Sequence, residues 1–109
     1  RDALVVVSDH GQIPIFEVVR PNRALADAGL VRVVEEDGRS RLAPDTPMVA
    51  VTGGAMMHLY LNLAGREPGG VVTMAEAPEL LRRAARALAD LEAEGFRYRG
   101  LVDVFDAGD

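Results

Sequence analysis

The stretch Ala3-Leu4-Val5-Val6-Val7-Ser8-Asp9-His10-Gly11 decides how this chain is read. Apolar residues that follow one another without polar alternation, three of them Val, read as a strand covered on both faces, the usual state of a central parallel strand. In open α/β sheets, ligand crevices form beyond the carboxyl ends of such strands. A carboxylate, an imidazole and a permissive glycine at that point make Asp9 and His10 candidate metal ligands. Neighbouring residues on a straight strand point to opposite faces, so the two can share one ion only where the backbone leaves the strand, which Gly11 permits. A hydrogen-bonded turn without a ligand is the plain alternative for such a pair.

Outward from this stretch, the pattern predicts a small α/β piece. Arg20-Pro21-Asn22 opens a short helix through Ala28, with Gly29 where a left-handed stop is wanted and with Leu25 and Ala28 facing the core. Leu30 to Glu35 reads as a strand, and Asp37-Gly38 is the dipeptide of a tight hairpin that returns through Arg39 to Leu42, facing solvent. Pro44 and Pro47 mark a loop before the apolar strand Met48 to Thr52, which ends in Gly53-Gly54. His58 to Leu63 alternates strictly, placing three Leu on one face and His58, Tyr60 and Asn62 on the other. Gly65 to Gly70 is a flexible connection, and Val71 to Thr73 adds a brief strand. From Glu76 to Glu94, Leu81, Ala84, Ala85, Leu88 and Leu91 recur at helical spacing, Pro78 suits the first turn, and Gly95 ends the run. Leu101 to Phe105 alternates as a last strand, with Asp103 and Asp106 as its acidic residues.

Composition narrows the function classes. Twelve basic against seventeen acidic side chains leave a formal charge of −5 over 109 residues, and no basic stripe offsets it, which argues against a nucleic-acid partner. With cysteine absent, disulfides and thiolate metal sites are excluded, so any metal would be held by oxygen and imidazole nitrogen. No apolar run approaches the roughly eighteen residues that a membrane-spanning helix needs. No compartment is marked.

Read in order, Val5-Val6-Val7-Ser8-Asp9-His10-Gly11-Gln12, a helix, a hairpin and then Gly54-Ala55-Met56-Met57-His58-Leu59-Tyr60-Leu61 resemble the type I phosphodiesterase and nucleotide pyrophosphatase branch of the alkaline phosphatase superfamily. There a strand ends in Ser-Asp-His-Gly followed by a hydrophobic residue, and the adjacent Asp and His bind one of two catalytic metal ions, usually zinc. The resemblance gives those roles to Asp9 and His10. It extends from about Leu4 to about Leu91, with the specific motif confined to its first part. An upstream Asp, the Thr or Ser nucleophile after it, a further Asp and His pair and a downstream His-Gly segment are missing from the chain. The chain is therefore expected to be a segment of a larger enzyme, with its nucleophile outside.

What the resemblance implies is hydrolysis of a small-molecule phosphate ester, a diester or pyrophosphate, through a phosphoryl-Thr or phosphoryl-Ser intermediate between two zinc ions. Paired metals suit this work because one lowers the pKa of the attacking hydroxyl while the other steadies the leaving oxygen. Residues 1–11 would be a core strand with its metal-binding turn. Residues 12–109 would form an accessory, cap-like lobe, making a small mixed-sheet piece with two helices within an alkaline phosphatase-like fold. Two alternatives stand beside this. One is a noncatalytic α/β module whose face with His58, Tyr60 and Asn62 packs on the missing catalytic core. The other keeps the superfamily and changes the reaction to phosphomutase, sulfatase or phosphonate hydrolysis.

The remaining candidates are weaker. His58 would bring the protein ligands to three, the number a catalytic zinc commonly has, but its alternation partners make it a surface or interface imidazole. Gly53-Gly54 lacks the Lys and hydroxyl of a phosphate loop. Arg82, Arg83 and Arg86 could clamp a phosphate, yet Glu79 stands four before Arg83 and Arg86 four before Asp90, the spacing of exposed ion pairs. Met56 and Met57 read as pocket lining or core filler. Ser8, Ser40, Thr46, Thr52 and Thr73 have no visible activating base.

Overall fold

Proline at the first helical position and glycine just past the last one punctuate the first helix, α1 (Pro21–Asp27). The computed structural model describes residues 1–12, 14, 19–54, 56–89, 92–93 and 96–99. At the end of α1, Gly29 takes φ 74°. Its N–H donates to Ala26 O at 2.9 Å, and Leu30 N–H donates to Leu25 O at 2.8 Å. That double closure is a Schellman stop, and Leu25 and Leu30, the two residues it brings together, are both fully buried. Ala28, expected in the core, is exposed, because the stop turns it outward at the helix cap.

Strands β1 (Val33–Glu36) and β2 (Arg39–Leu42) form the expected solvent-facing hairpin. Asp37 (φ 51°) and Gly38 (φ 71°) both sit in the left-handed region, as a tight hairpin whose twist matches its strands requires. Leu30 and Val31, read as part of that strand, lie buried ahead of it. Strands β3 (Met48–Gly53) and β4 (Met56–Leu61) pair antiparallel from Met48 opposite Leu61 to Gly53 opposite Met56. Their inner face carries Met48, Ala50, Met57, Leu59 and Leu61. The outer face pairs Val49 with Tyr60 and Val51 with His58.

The amphipathic helix α2 (Ala77–Ala89) lays Ala84 and Leu88 into the same core, with Leu80 and Ala87 packed against it. It stops short of the expected Glu94. Glu92–Ala93 (β5) instead pairs with Phe96–Arg99 (β6), a segment whose Phe and Tyr favour extended backbone. Leu91, Glu94, Gly95 and the strand read over Leu101 to Phe105 lie outside the described residues.

At the coarse level the chain is a mixed α/β structure with helices α1 and α2. The expected mixed sheet is corrected: every described ladder is antiparallel, and parallel pairing is confined to the isolated bridges Leu63–Val72 and Ala64–Glu67. Short hairpin connections admit only antiparallel neighbours, whereas parallel strands need long crossovers. The single Leu63–Val72 bridge is also all that stands where a brief strand over Val71 to Thr73 was expected.

The segment expected as the first buried strand differs most. Residues 1–8 join no ladder, and Leu4, Val5, Val6 and Val7 are 89, 78, 85 and 84 % exposed. A strand exists through its neighbours, and among the described residues none lies beside this one. The valines state a demand for cover that the described residues do not meet.

Candidate metal-binding site

The unpaired segment of residues 1–8 ends in a bend at Asp9 and His10. Ser8 starts it: its Oγ–H donates to His10 O at 2.6 Å, a serine closing a turn onto the backbone two residues on. The His10 ring then folds back, with Nδ1 2.7 Å from Gly11 O. A carbonyl can only accept, so the proton of that hydrogen bond sits on Nδ1. The other ring nitrogen, Nε2, faces Asp9 Oδ2 at 3.4 Å. An imidazolium would present N–H there, and a neutral ring presents a lone pair.

The bend thus brings together the two residues singled out from sequence. Two donors bound to one tetrahedral zinc at about 2.0–2.2 Å stand roughly 3.3–3.5 Å apart, the spacing this carboxylate oxygen and imidazole nitrogen already have. Both side chains are open to approach, 86 % exposed for Asp9 and 69 % for His10. Oxygen and neutral nitrogen donors also suit zinc chemically. The pair fits as two ligands of an ion. Among the described residues no third His, Cys, Asp or Glu joins them.

The remaining candidates are placed elsewhere. His58 is exposed on the outer face of β4, its ring centroid 6.4 Å from that of Tyr60. Asn62 leaves that face: its Nδ2 donates to Pro44 O and Thr46 O, both at 3.1 Å, tying down the loop before β3. The Thr46 hydroxyl is committed as well, accepting from Arg32 N–H at 2.8 Å and donating to Met48 O at 3.1 Å. Gly53 is the last residue of β3, paired with Met56, and Gly54 follows it in the turn to β4 at φ 60°. Met57 packs on the core, and Met56 is exposed.

On α2 each of the three arginines has a hydrogen-bond partner within the chain. Arg82 donates to Glu79 at 2.9 Å and 3.1 Å, and Arg86 reaches the same carboxylate at 3.5 Å. The Arg82 hydrogen bond is the main cause that holds the Glu79 pKa below the usual carboxylate range. Arg83, expected to pair with Glu79, donates instead to Ala28 O at 3.2 Å and ties α2 to the end of α1. Asp90, the expected partner of Arg86, lies outside the described residues.

What sequence reasoning missed is the supporting pair. Gly11 entered as a flexible residue and Ser8 as an unsupported nucleophile, whereas both shape the turn. A serine two residues ahead of a bend is the signal that would have found the first. Comparison with family models, with curated proteins and with solved structures gives no match.

Proposed function

We propose that the chain is a segment of a metal-dependent phosphodiesterase of the nucleotide pyrophosphatase type, in which Asp9 and His10 hold one of two zinc ions. The observation that carries this reading is the turn of residues 8–11, where a carboxylate oxygen and an imidazole nitrogen stand 3.4 Å apart and exposed. Zinc, when bound, would supply charge to acidify an attacking hydroxyl and to neutralise phosphate oxygens. In this chain Asp9 contributes negative charge, His10 contributes a directional nitrogen, and Gly11 O holds the proton on Nδ1. The nucleophile and the remaining ligands belong to parts of the enzyme outside this chain.

The test is substitution in the full-length enzyme. Asp9→Ala and His10→Ala should each lower zinc content and abolish turnover of a phosphate diester. Full activity with stoichiometric zinc in both variants would overturn the reading.

A second reading, a noncatalytic module that packs on a larger core, is favoured by the exposed apolar surface. Val51, Met56 and Tyr60 are about half exposed or more on the β3–β4 hairpin, and Leu4 to Val7 are open as well. Under that reading both alanine variants retain zinc and activity, while charged substitutions at Val51 or Val6 separate the lobe from its core.

A further inference from the structure

We infer that Ser8 and Gly11 are positioning residues that select Nε2 as the metal-binding atom of His10. This rests on the proposed metal role of Asp9 and His10 and adds to it which atom binds and what aims it.

Three contacts act in sequence. Ser8 Oγ–H grips His10 O at 2.6 Å, which fixes the plane of the peptide joining His10 to Gly11. The carbonyl that follows, Gly11 O, receives Nδ1–H at 2.7 Å, which fixes the ring. Nε2 is then left beside Asp9 Oδ2. With the proton moved to Nε2, the Nδ1 lone pair would face the Gly11 O lone pairs at that distance. The Asp9 carboxylate favours a proton on Nε2, but it stands 3.4 Å away, whereas two facing lone pairs at 2.7 Å are in closer than van der Waals contact; the neutral ring therefore carries its proton mainly on Nδ1, the tautomer that a free imidazole in water populates less.

The consequence is a prepared pair of donors. A metal meeting an unrestrained His10 would first have to select the right tautomer and rotamer, and both costs reduce affinity. Here the same turn meets them beforehand, through the Gly11 carbonyl and the Ser8 hydroxyl that steadies the peptide before it. A ligating histidine ordinarily donates its other N–H to a carboxylate, a backbone carbonyl or water, and losing such a partner typically weakens metal binding by 10–100-fold. Ser8 acts one step further out, through the peptide. Its hydroxyl proton is committed to that task, so the residue serves the site by shape.

The test uses the 109-residue chain labelled with nitrogen-15, its two imidazoles, His10 and His58, observed by long-range proton–nitrogen NMR. In the metal-free chain the neutral His10 ring should be mainly Nδ1-protonated, with exposed His58 as the reference for the solvent mixture. Titrated zinc should perturb His10 Nε2. Ser8→Ala should move His10 toward the Nε2-protonated form and weaken zinc binding about tenfold, the lower end of such second-layer effects. Ser8→Thr, which keeps a hydroxyl, should restore both, an outcome that loss of folding would not give. Unchanged tautomer and zinc affinity in Ser8→Ala, with zinc still on His10, would overturn the inference and leave the metal reading intact. In the full-length enzyme, zinc retained by both Asp9→Ala and His10→Ala would overturn the metal reading itself.

Discussion

The amide of Asn22 accepts from Ala50 N–H and donates to Ala50 O, both at 2.8 Å. One side chain thereby takes the place of a neighbouring strand on the free edge of β3, and it joins α1 to the sheet. An unpaired, partly buried backbone group costs about 1–3 kcal/mol. Asn22→Ala should therefore lower unfolding stability by roughly 1–3 kcal/mol in a urea titration. Asn22→Asp should cost at least as much, since it removes the donor and sets a carboxylate against Ala50 O. At Glu76 the effect depends on pH. Its carboxylate accepts from Thr73 Oγ–H at 2.6 Å and Thr73 N–H at 2.9 Å, a capping box at the turn leading into α2. The side-chain hydrogen bond first, and the backbone one second, hold its pKa below the usual glutamate range. A carboxyl lowered by folding stabilises the fold while ionised. That contribution is complete above the unfolded pKa and is lost as pH falls through the lowered folded value. The stability gap between the parent chain and Glu76→Gln should accordingly be largest near neutral pH and close in acid, as thermal unfolding across that range would show.

Elements whose signals are local were the legible ones. Pro21 and Gly29 bracket α1, Asp37-Gly38 turns β1 into β2, and alternation along His58 to Leu61 gives β4 its two faces. Each signal acts within a few residues, so the chain around it decides the outcome. The hairpin turn gives a direct check. Gly38 stands at φ 71°, where a β-branched residue is an outlier, and its side is open, so strain and not collision is what a substitution adds. Gly38→Val should cost on the order of 1–3 kcal/mol locally, seen as faster amide exchange across residues 33–42 with Ala50 still protected. Less legible were features set by competition or by distance. Helical spacing runs on past Ala89, but Glu92–Ala93 pairs with β6 instead of continuing the helix. Asn62 and Thr46 read as ordinary polar residues because their distant partners are backbone groups, the Pro44 and Thr46 carbonyls for the first and the Arg32 N–H for the second, which leave no side-chain signature. The Nδ1 partner of His10 escaped for the same reason: Gly11 offers only its backbone. The proximity of Asp9 and His10 was readable as a condition, that the chain must bend there, and it does bend.

For the whole molecule, the candidate site and the folded core occupy separate stretches. The core cluster runs from Leu25 to Leu88, gathering α1, the inner face of β3 and β4, and α2. The Asp9–His10 turn makes its hydrogen bonds within residues 8–11. Nothing in those contacts couples the turn to the core. Two changes should therefore have opposite signatures. Leu25→Ala empties a fully buried position shared by the core elements and should cost about 2–5 kcal/mol, a large part of the 5–15 kcal/mol typical of a domain. Under the proposed metal role, any zinc response of His10 should stay in place wherever the chain remains soluble, since the turn closes on itself. Removing residues 1–12 should do the reverse, leaving the urea midpoint and far-ultraviolet circular dichroism of the core essentially unchanged while removing the zinc binding proposed for Asp9 and His10. A marked loss of core stability in the shortened chain would show that Leu4 to Val7 are covered by this chain in solution. Unchanged stability would mean that Leu4 to Val7 add nothing to the core formed by Leu25 to Leu88.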